Sequence, residues 1–155
     1  LSRGVGGGGH VYGFDVQAEA VASATARLAR SGLMRRATFF TAGHERLAEL
    51  LPPEAHGRIV AVLFNLGYLP GAPRGVATRA ETTVAALDAL VSGWLATDGV
   101  ATALCYRGHP GGAEECMAVE AWAGRLDATR WSVQWIEGEP NPERPSPRLL
   151  VVRGV

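Results

Sequence analysis

Two spacings of apolar residues alternate along most of the chain. "HVYGFDV" (10–16) is a short apolar run ending in an acid and predicts a buried strand. "QAEAVASATARLARSG" (17–32) puts Val21, Ala24, Thr25 and Leu28 on one helical stripe, with Gly32 as a stop. "RATFFTA" (36–42) is β-branched and aromatic, a second strand, and "HERLAELL" (44–51) is a short helix closed by Pro52 and Pro53. "RIVAVLFN" (58–65) is a third strand whose unbroken apolar character predicts burial on both faces. "TRAE" (78–81) has capping-box spacing, with Thr78 as N-cap and Glu81 reaching back. The helix it opens is expected to run to about Ala96, with Val84, Leu87, Leu90, Val91 and Leu95 toward the core. "DGVATALCY" (98–106) is a fourth strand and "GGAEECMAVEAWAGRL" (111–126) a further helix. The rhythm then changes: "WSVQWIEG" and "PRLLVVRG" are strands joined only by the proline-rich turn 139–147, an antiparallel pair.

Alternating strands and helices imply a mostly parallel sheet with helices on both faces, closed here by a hairpin. Such sheets bind ligands outside the carboxyl ends of their strands. Polar or glycine-bearing turns stand at four of those ends: Asp15, Gly43–His44–Glu45, Asn65 to Tyr68, and Gly108–His109.

Composition narrows the chemistry. At 155 residues, 47% apolar and 19% charged, the chain reads as one soluble domain, 1–155. No apolar stretch is long enough to span a membrane, and no signal-type series opens the sequence, so a cytoplasmic location is expected. Cys105 and Cys116 lack metal-ligand spacing and read as reduced thiols, and no metal is expected. All fifteen basic residues are arginine, which excludes lysine nucleophiles, Schiff bases and a phosphate-loop lysine. Net charge is zero, so binding to a polyanion rests on local clusters such as Arg35–Arg36, or Arg74, Arg79 and Arg107 around the loops.

Each strand end admits a functional and a plain reading. Asp15 can accept the hydroxyls of a ribose or cap the next helix, or do both. Glu45 complements a helix dipole, and His44 is either a ligand contact or an ordinary helix-start residue. Asn65 presents an amide oxygen that can accept from an amine and aim its lone pair. Gly67 permits close approach or positive φ, and Tyr68 offers a ring for a base or a cation. The alternative is a turn in which Asn65 satisfies backbone groups and Tyr68 packs on the surface. His109, in "YRGHPGG" (106–112), either orients a substrate and takes a proton or sits in a helix-entry loop.

The series "HVYGFDVQ", "GHE", "FNLGYLPG", "TTVAALDAL", "YRGHPGGAEE" and "AVEAW" resembles, in order and spacing, the S-adenosylmethionine-dependent methylases long labelled putative rRNA methylases. Members of that family are understood to methylate 5-aminomethyl-2-thiouridine at the tRNA wobble position. The resemblance covers nearly the whole chain from about residue 9, and "NLGY" stands where amino-group methyltransferases carry an Asn-Pro-Pro-Tyr type motif. It implies a Rossmann-like class I methyltransferase sheet and S-adenosyl-L-methionine as cofactor. It implies Asp15 at the cofactor ribose with Gln17 beside it, and His44 and Glu45 near the adenosyl end. Asn65, with Leu66 and Gly67, would face the methyl group and the acceptor amine. Tyr68 would flank the target base, and His109 would line the acceptor side. The implied partner is the tRNA anticodon loop, with Arg74, Arg79 and Arg107 as candidate phosphate contacts.

The family opens with a strand and a glycine-rich turn resembling Asp-Ala-Thr-Ala-Gly-Asn-Gly, which this sequence does not contain. "GVGGGG" (4–9) does not replace it, because a strand rather than a helix follows. The expectation is a chain truncated at its N-terminus relative to the family, lacking the first strand, which would lie between those ending at Asp15 and Asn65. An unfilled sheet centre also favours a homodimer. Two alternatives stay open: a non-catalytic remnant of the fold that binds RNA or a partner, and a methyltransferase for a small-molecule amine.

Overall fold

The computed structural model describes residues 8–67, 78–142 and 145–155. It divides into two compact units, one up to Leu51 and one from Pro52 onward.

In the first unit, strand β1 (Val11–Asp15) pairs in parallel with β2 (Ala37–Thr41), Asp15 standing opposite Thr41. The thirteen-residue helix α1 (Ala18–Arg30) crosses between them. Val21, Ala24, Thr25 and Leu28 are half-buried, as the stripe predicts, together with Ala20, although no residue of α1 is fully buried. A 3-10 turn at His44–Arg46 runs into the short helix α2 (Leu47–Leu50), and Leu51 with two prolines ends it.

The second unit holds a four-stranded sheet in the order β3-β4-β6-β5, formed by Ile59–Leu66, Leu95–Cys105, Arg148–Gly154 and Trp131–Glu137. β3 and β4 are parallel, while β6 runs antiparallel to both β4 and β5. The C-terminal hairpin and the mixed sheet therefore follow the sequence expectation. Among the described residues the pairing is confined to β1-β2 in the first unit and to β3-β4-β6-β5 in the second.

Helices α3 (Ala80–Ala89) and α4 (Gly112–Ala123) cover one face of this sheet. Ala101, Ala103 and Cys105 of β4 point to that face and are almost fully buried, together with Phe64 and Leu66 of β3. The opposite face of β3 contradicts the sequence expectation. Leu63 is 61% exposed, and Ala61 and Asn65 are exposed with it. An unbroken apolar run records only that no position was made polar, and within this unit α3 and α4 both lie on the other side.

Two boundaries also move. The capping box does not form: Arg79 takes the N-cap position and no side chain caps it, because the Thr78 hydroxyl is engaged elsewhere. The helix also ends early. After Ala89 the chain makes a wide turn, Leu90–Trp94, with Gly93 at φ 152°, and Leu95 becomes the first residue of β4 instead of a helix position.

α3 and α4 are tied by polar contacts as well as packing. The buried Trp122 donates from Nε1 to Asp88 Oδ1 at 2.7 Å. Trp122→Phe keeps most of the ring and removes the donor, so it should cost about 2–3 kcal/mol, read from the midpoint of chemical unfolding.

Candidate functional site

At the carboxyl end of β1, Asp15 Oδ1 accepts the Gln17 backbone N–H at 2.9 Å, and the Asp15 carbonyl accepts from Ala42 N at 3.0 Å. Gln17, not Asp15, is the N-cap residue of α1, so the carboxylate shapes the turn that precedes the helix. One of its oxygens is thereby used and Oδ2 remains for a ligand. A shallow cavity of about 150 Å³ adjoins it, lined by Gly13, Asp15, Val21 and Phe39 among others. His44 and Glu45 follow Thr41 at the same end of the parallel pair, and the Glu45 carboxylate folds over Gly43.

In the second unit, the corner Asn65–Leu66–Gly67 closes β3. Alternation puts Leu66 under the helices, 1% exposed, and Asn65 on the open face. Gly67 has φ 141°, a conformation that L side chains rarely adopt. A Cβ there would lie 3.4 Å from His109 Nε2 and 3.6 Å from Tyr106 Cδ2. The bend therefore lies against the His109 imidazole, whose Nδ1 is 3.0 Å from the Pro110 carbonyl. Gly112, where a side chain would strike His109 and the Tyr106 carbonyl, lets this loop fold back onto the start of α4.

The structure thus brings Asn65, Leu66, Gly67 and His109 to one end of the second sheet, and Asp15, Gln17, His44 and Glu45 to one end of the first pair. Tyr68 and Arg74 lie outside the described residues. Arg79 is exposed beside the start of α3. Arg107 is committed: its Nε and Nη2 donate to the Ser146 carbonyl at 3.2 and 2.9 Å, bracing the β5–β6 connection.

Sequence reasoning passed over Glu115. Its carboxylate is 2% exposed and accepts the hydroxyls of Thr83 at 2.6 Å and Thr78 at 2.7 Å. The Thr78 oxygen in turn accepts the Gly67 N–H at 2.8 Å, and Thr78 N donates to the Gly67 carbonyl at 3.0 Å. A signal was present: Gly112, Glu115–Cys116, Val119 and Trp122–Ala123 form the buried stripe of α4, with an acid in the middle. Next to it, burial first, and then the neighbouring Cys116 and Glu115, push the Cys105 thiol up to about 12, so it stays protonated near neutrality.

Residues 11–153 match the model of the family described as putative rRNA methylase. The chain belongs to that family. It is 38% identical over 130 residues to an Arabidopsis thaliana protein named as a chloroplastic tRNA (mnm(5)s(2)U34)-methyltransferase. That alignment covers 82% of this chain and 46% of the plant protein, so the chain spans about half the length of this curated relative. Among solved structures, a putative rRNA methylase from Clostridium thermocellum superposes with a TM-score of 0.90 at 32% identity, over 100% of this chain and 80% of its own. A putative methyltransferase from Streptococcus mutans, solved in complex with SAH, gives 0.80 at 27% identity, over 94% and 76%. The Rossmann-like methyltransferase fold expected from the family's motifs is the fold observed.

Gly67→Ala forces a side chain into the left-handed region of the Asn65–Gly67 corner. It should lower stability by about 1–3 kcal/mol, measured as a fall in Tm, with secondary structure retained by circular dichroism.

Proposed function

We propose that this chain carries out S-adenosylmethionine-dependent methyl transfer to an amino nitrogen of a modified wobble uridine in tRNA. The observation that carries the reading is the Asn65–Gly67 corner: an exposed amide at a strand's carboxyl end, followed by a left-handed glycine set against His109. The family match and the name of the plant relative support the choice of reaction and acceptor.

The chain's residues suit the cofactor where they can be tested. Asp15 stands at a parallel strand's end with Oδ2 uncommitted, beside a cavity, which is the chemistry a ribose diol needs. Gln17, His44 and Glu45 complete that side in this reading. S-adenosylmethionine, when bound, supplies an electrophilic methyl carbon on a sulfonium.

The acceptor side has a different task. An alkyl amine has a pKa near that of lysine, about 10.4, so freeing its lone pair at neutral pH costs roughly 4–5 kcal/mol. A cationic neighbour in a poorly solvated pocket lowers that cost, because two adjacent cations repel. Placement then supplies most of the acceleration, up to roughly 7–11 kcal/mol in favourable cases. In this reading Asn65 aims the amine through its amide oxygen, Tyr68 flanks the base, and His109, which packs against Gly67, takes the proton released. A wobble base already sits in a loop, so no duplex has to be opened. The anticodon backbone needs positive charge, and Arg79 with Arg74 supplies it.

Asn65→Ala should abolish methylation while binding of S-adenosylhomocysteine, read by calorimetry, stays near that of the parent. Nucleoside analysis of tRNA incubated with protein and cofactor reads the activity. A normal rate in the variant removes Asn65 from the reaction, and an inactive parent that still binds RNA favours the non-catalytic alternative.

Arg79→Glu should weaken tRNA binding and reduce the slope of log affinity against log salt by about one. Arg107→Ala should leave that slope unchanged, because its guanidinium is spent on Ser146.

A further inference from the structure

We infer that Glu115 is a positioning residue for the corner that presents Asn65, acting through the Thr78 hydroxyl on the Gly67 backbone; its place in methyl transfer rests on the function proposed above. The direction of the hydrogen bonds carries the inference. A hydroxyl has one proton. The Thr78 oxygen already accepts the Gly67 N–H at 2.8 Å, so its own proton goes to Glu115 Oε2, 2.7 Å away. Glu115 Oε1 accepts from Thr83 at 2.6 Å. The carboxylate thus sets the Thr78 rotor, and the rotor sets which way the Gly67 amide faces. The backbone pair from Thr78 N to the Gly67 carbonyl closes the link from the other side.

Burial fixes the carboxylate end of this link: Glu115 and Thr83 are 2% and 0% exposed, so water does not compete for the bond between them, and Thr78 reaches from there, half-buried, to Gly67. The link also has a defined length. Glu115 belongs to α4, Thr83 to α3, Thr78 to the segment before α3, and Gly67 to the end of β3. Three elements are therefore referenced to one carboxylate, and the group they fix in common is the amide two residues after Asn65. A charge buried only to hold two helices together would not require the Thr78 oxygen to accept from that amide.

Four variants of the intact protein separate positioning from packing. Thr78→Val removes the hydroxyl and keeps the shape, whereas Thr78→Ser restores it. Glu115→Gln leaves one acceptor oxygen for two hydroxyls. Thr83→Val deletes the other donor and spares the Thr78 link. The readouts are hydrogen exchange of the Gly67 amide by nuclear magnetic resonance, and kcat for tRNA methylation with KM for the cofactor.

Thr78→Val and Glu115→Gln should speed Gly67 exchange at least about tenfold and lower kcat roughly tenfold to a hundredfold. KM for the cofactor should move by less than about threefold. Thr78→Ser should track the parent. Thr83→Val should lower Tm while leaving both Gly67 exchange and kcat near the parent values. Parent-like exchange at Gly67 in Thr78→Val overturns the inference, and so does loss of kcat in Thr83→Val to the same degree. If the parent itself methylates no tRNA, the proposed function fails, and exchange at Gly67 alone decides whether Glu115 positions the corner.

Discussion

A carboxylate taken out of water must be given hydrogen bonds or it unfolds the structure around it, and Glu115 is given two hydroxyls. Among the described residues no guanidinium hydrogen-bonds to it. Hydrogen bonds to a charged acceptor are worth about 1.5–3 kcal/mol each, and stranding a buried charge costs more than the bond itself. The position of α4 relative to α3 is therefore set by a few polar distances, to which Trp122 and Asp88 add another. Apolar packing alone would tolerate sliding along the Val119 and Leu87 surfaces. A short contact between oxygens does not.

Two thiols lie beside this carboxylate. Cys105 and Cys116 are buried beside it, and Cys105 stays a neutral thiol because burial and the two adjacent groups oppose its ionisation. The consequence reaches the site through the sheet. Cys105 stands in register with Leu66, so the strand end carrying the Asn65 corner and the strand end leading to His109 share one buried anchor. Leu66 points into that anchor and Asn65 away from it. The same alternation that buries one residue presents the next.

What could be read in advance follows from how local each cause is. The hairpin of β5 and β6 is written in alternation and a single proline-rich turn, and the α1 stripe in a period of 3.6, so both appear where expected. The bend at Gly67 falls directly after β3, where the sequence put a strand end, because a glycine there suits a backbone that L side chains rarely adopt. The capping box misled because spacing cannot weigh rival acceptors: the Thr78 hydroxyl finds a carboxylate 37 positions away. The end of α3 misled because apolar residues at Leu90, Val91 and Leu95 suit a helix and a strand equally, and the backbone at Gly93 decides between them. The exposed face of β3 shows the limit of composition: an apolar side chain is permitted, but not compelled, to be covered.

Charge shows the same limit. With fifteen arginines and fifteen acids the totals cancel, and nothing in the sum says which guanidinium is available to a phosphate. Three guanidinium groups are already held. Arg148 is held by Glu137 at 2.6 Å and Glu120 at 3.1 Å, with Trp135 under its guanidinium. Arg107 is held by the Ser146 carbonyl, and Arg46 by both oxygens of Glu49. Arg148 and Arg107 brace the β5–β6 hairpin, and giving either to a phosphate would break bonds that shape it, whereas Arg46 ties the turn at His44–Arg46 to α2. Arg79 has no ion pair among the described residues and is exposed at the head of α3, directly after the Thr78 that steadies Gly67. In the function proposed above, a phosphate at Arg79 would lie one residue from the Thr78 hydroxyl that holds the Gly67 amide, so that backbone contact and the Gly67 bend would be linked through a single hydroxyl.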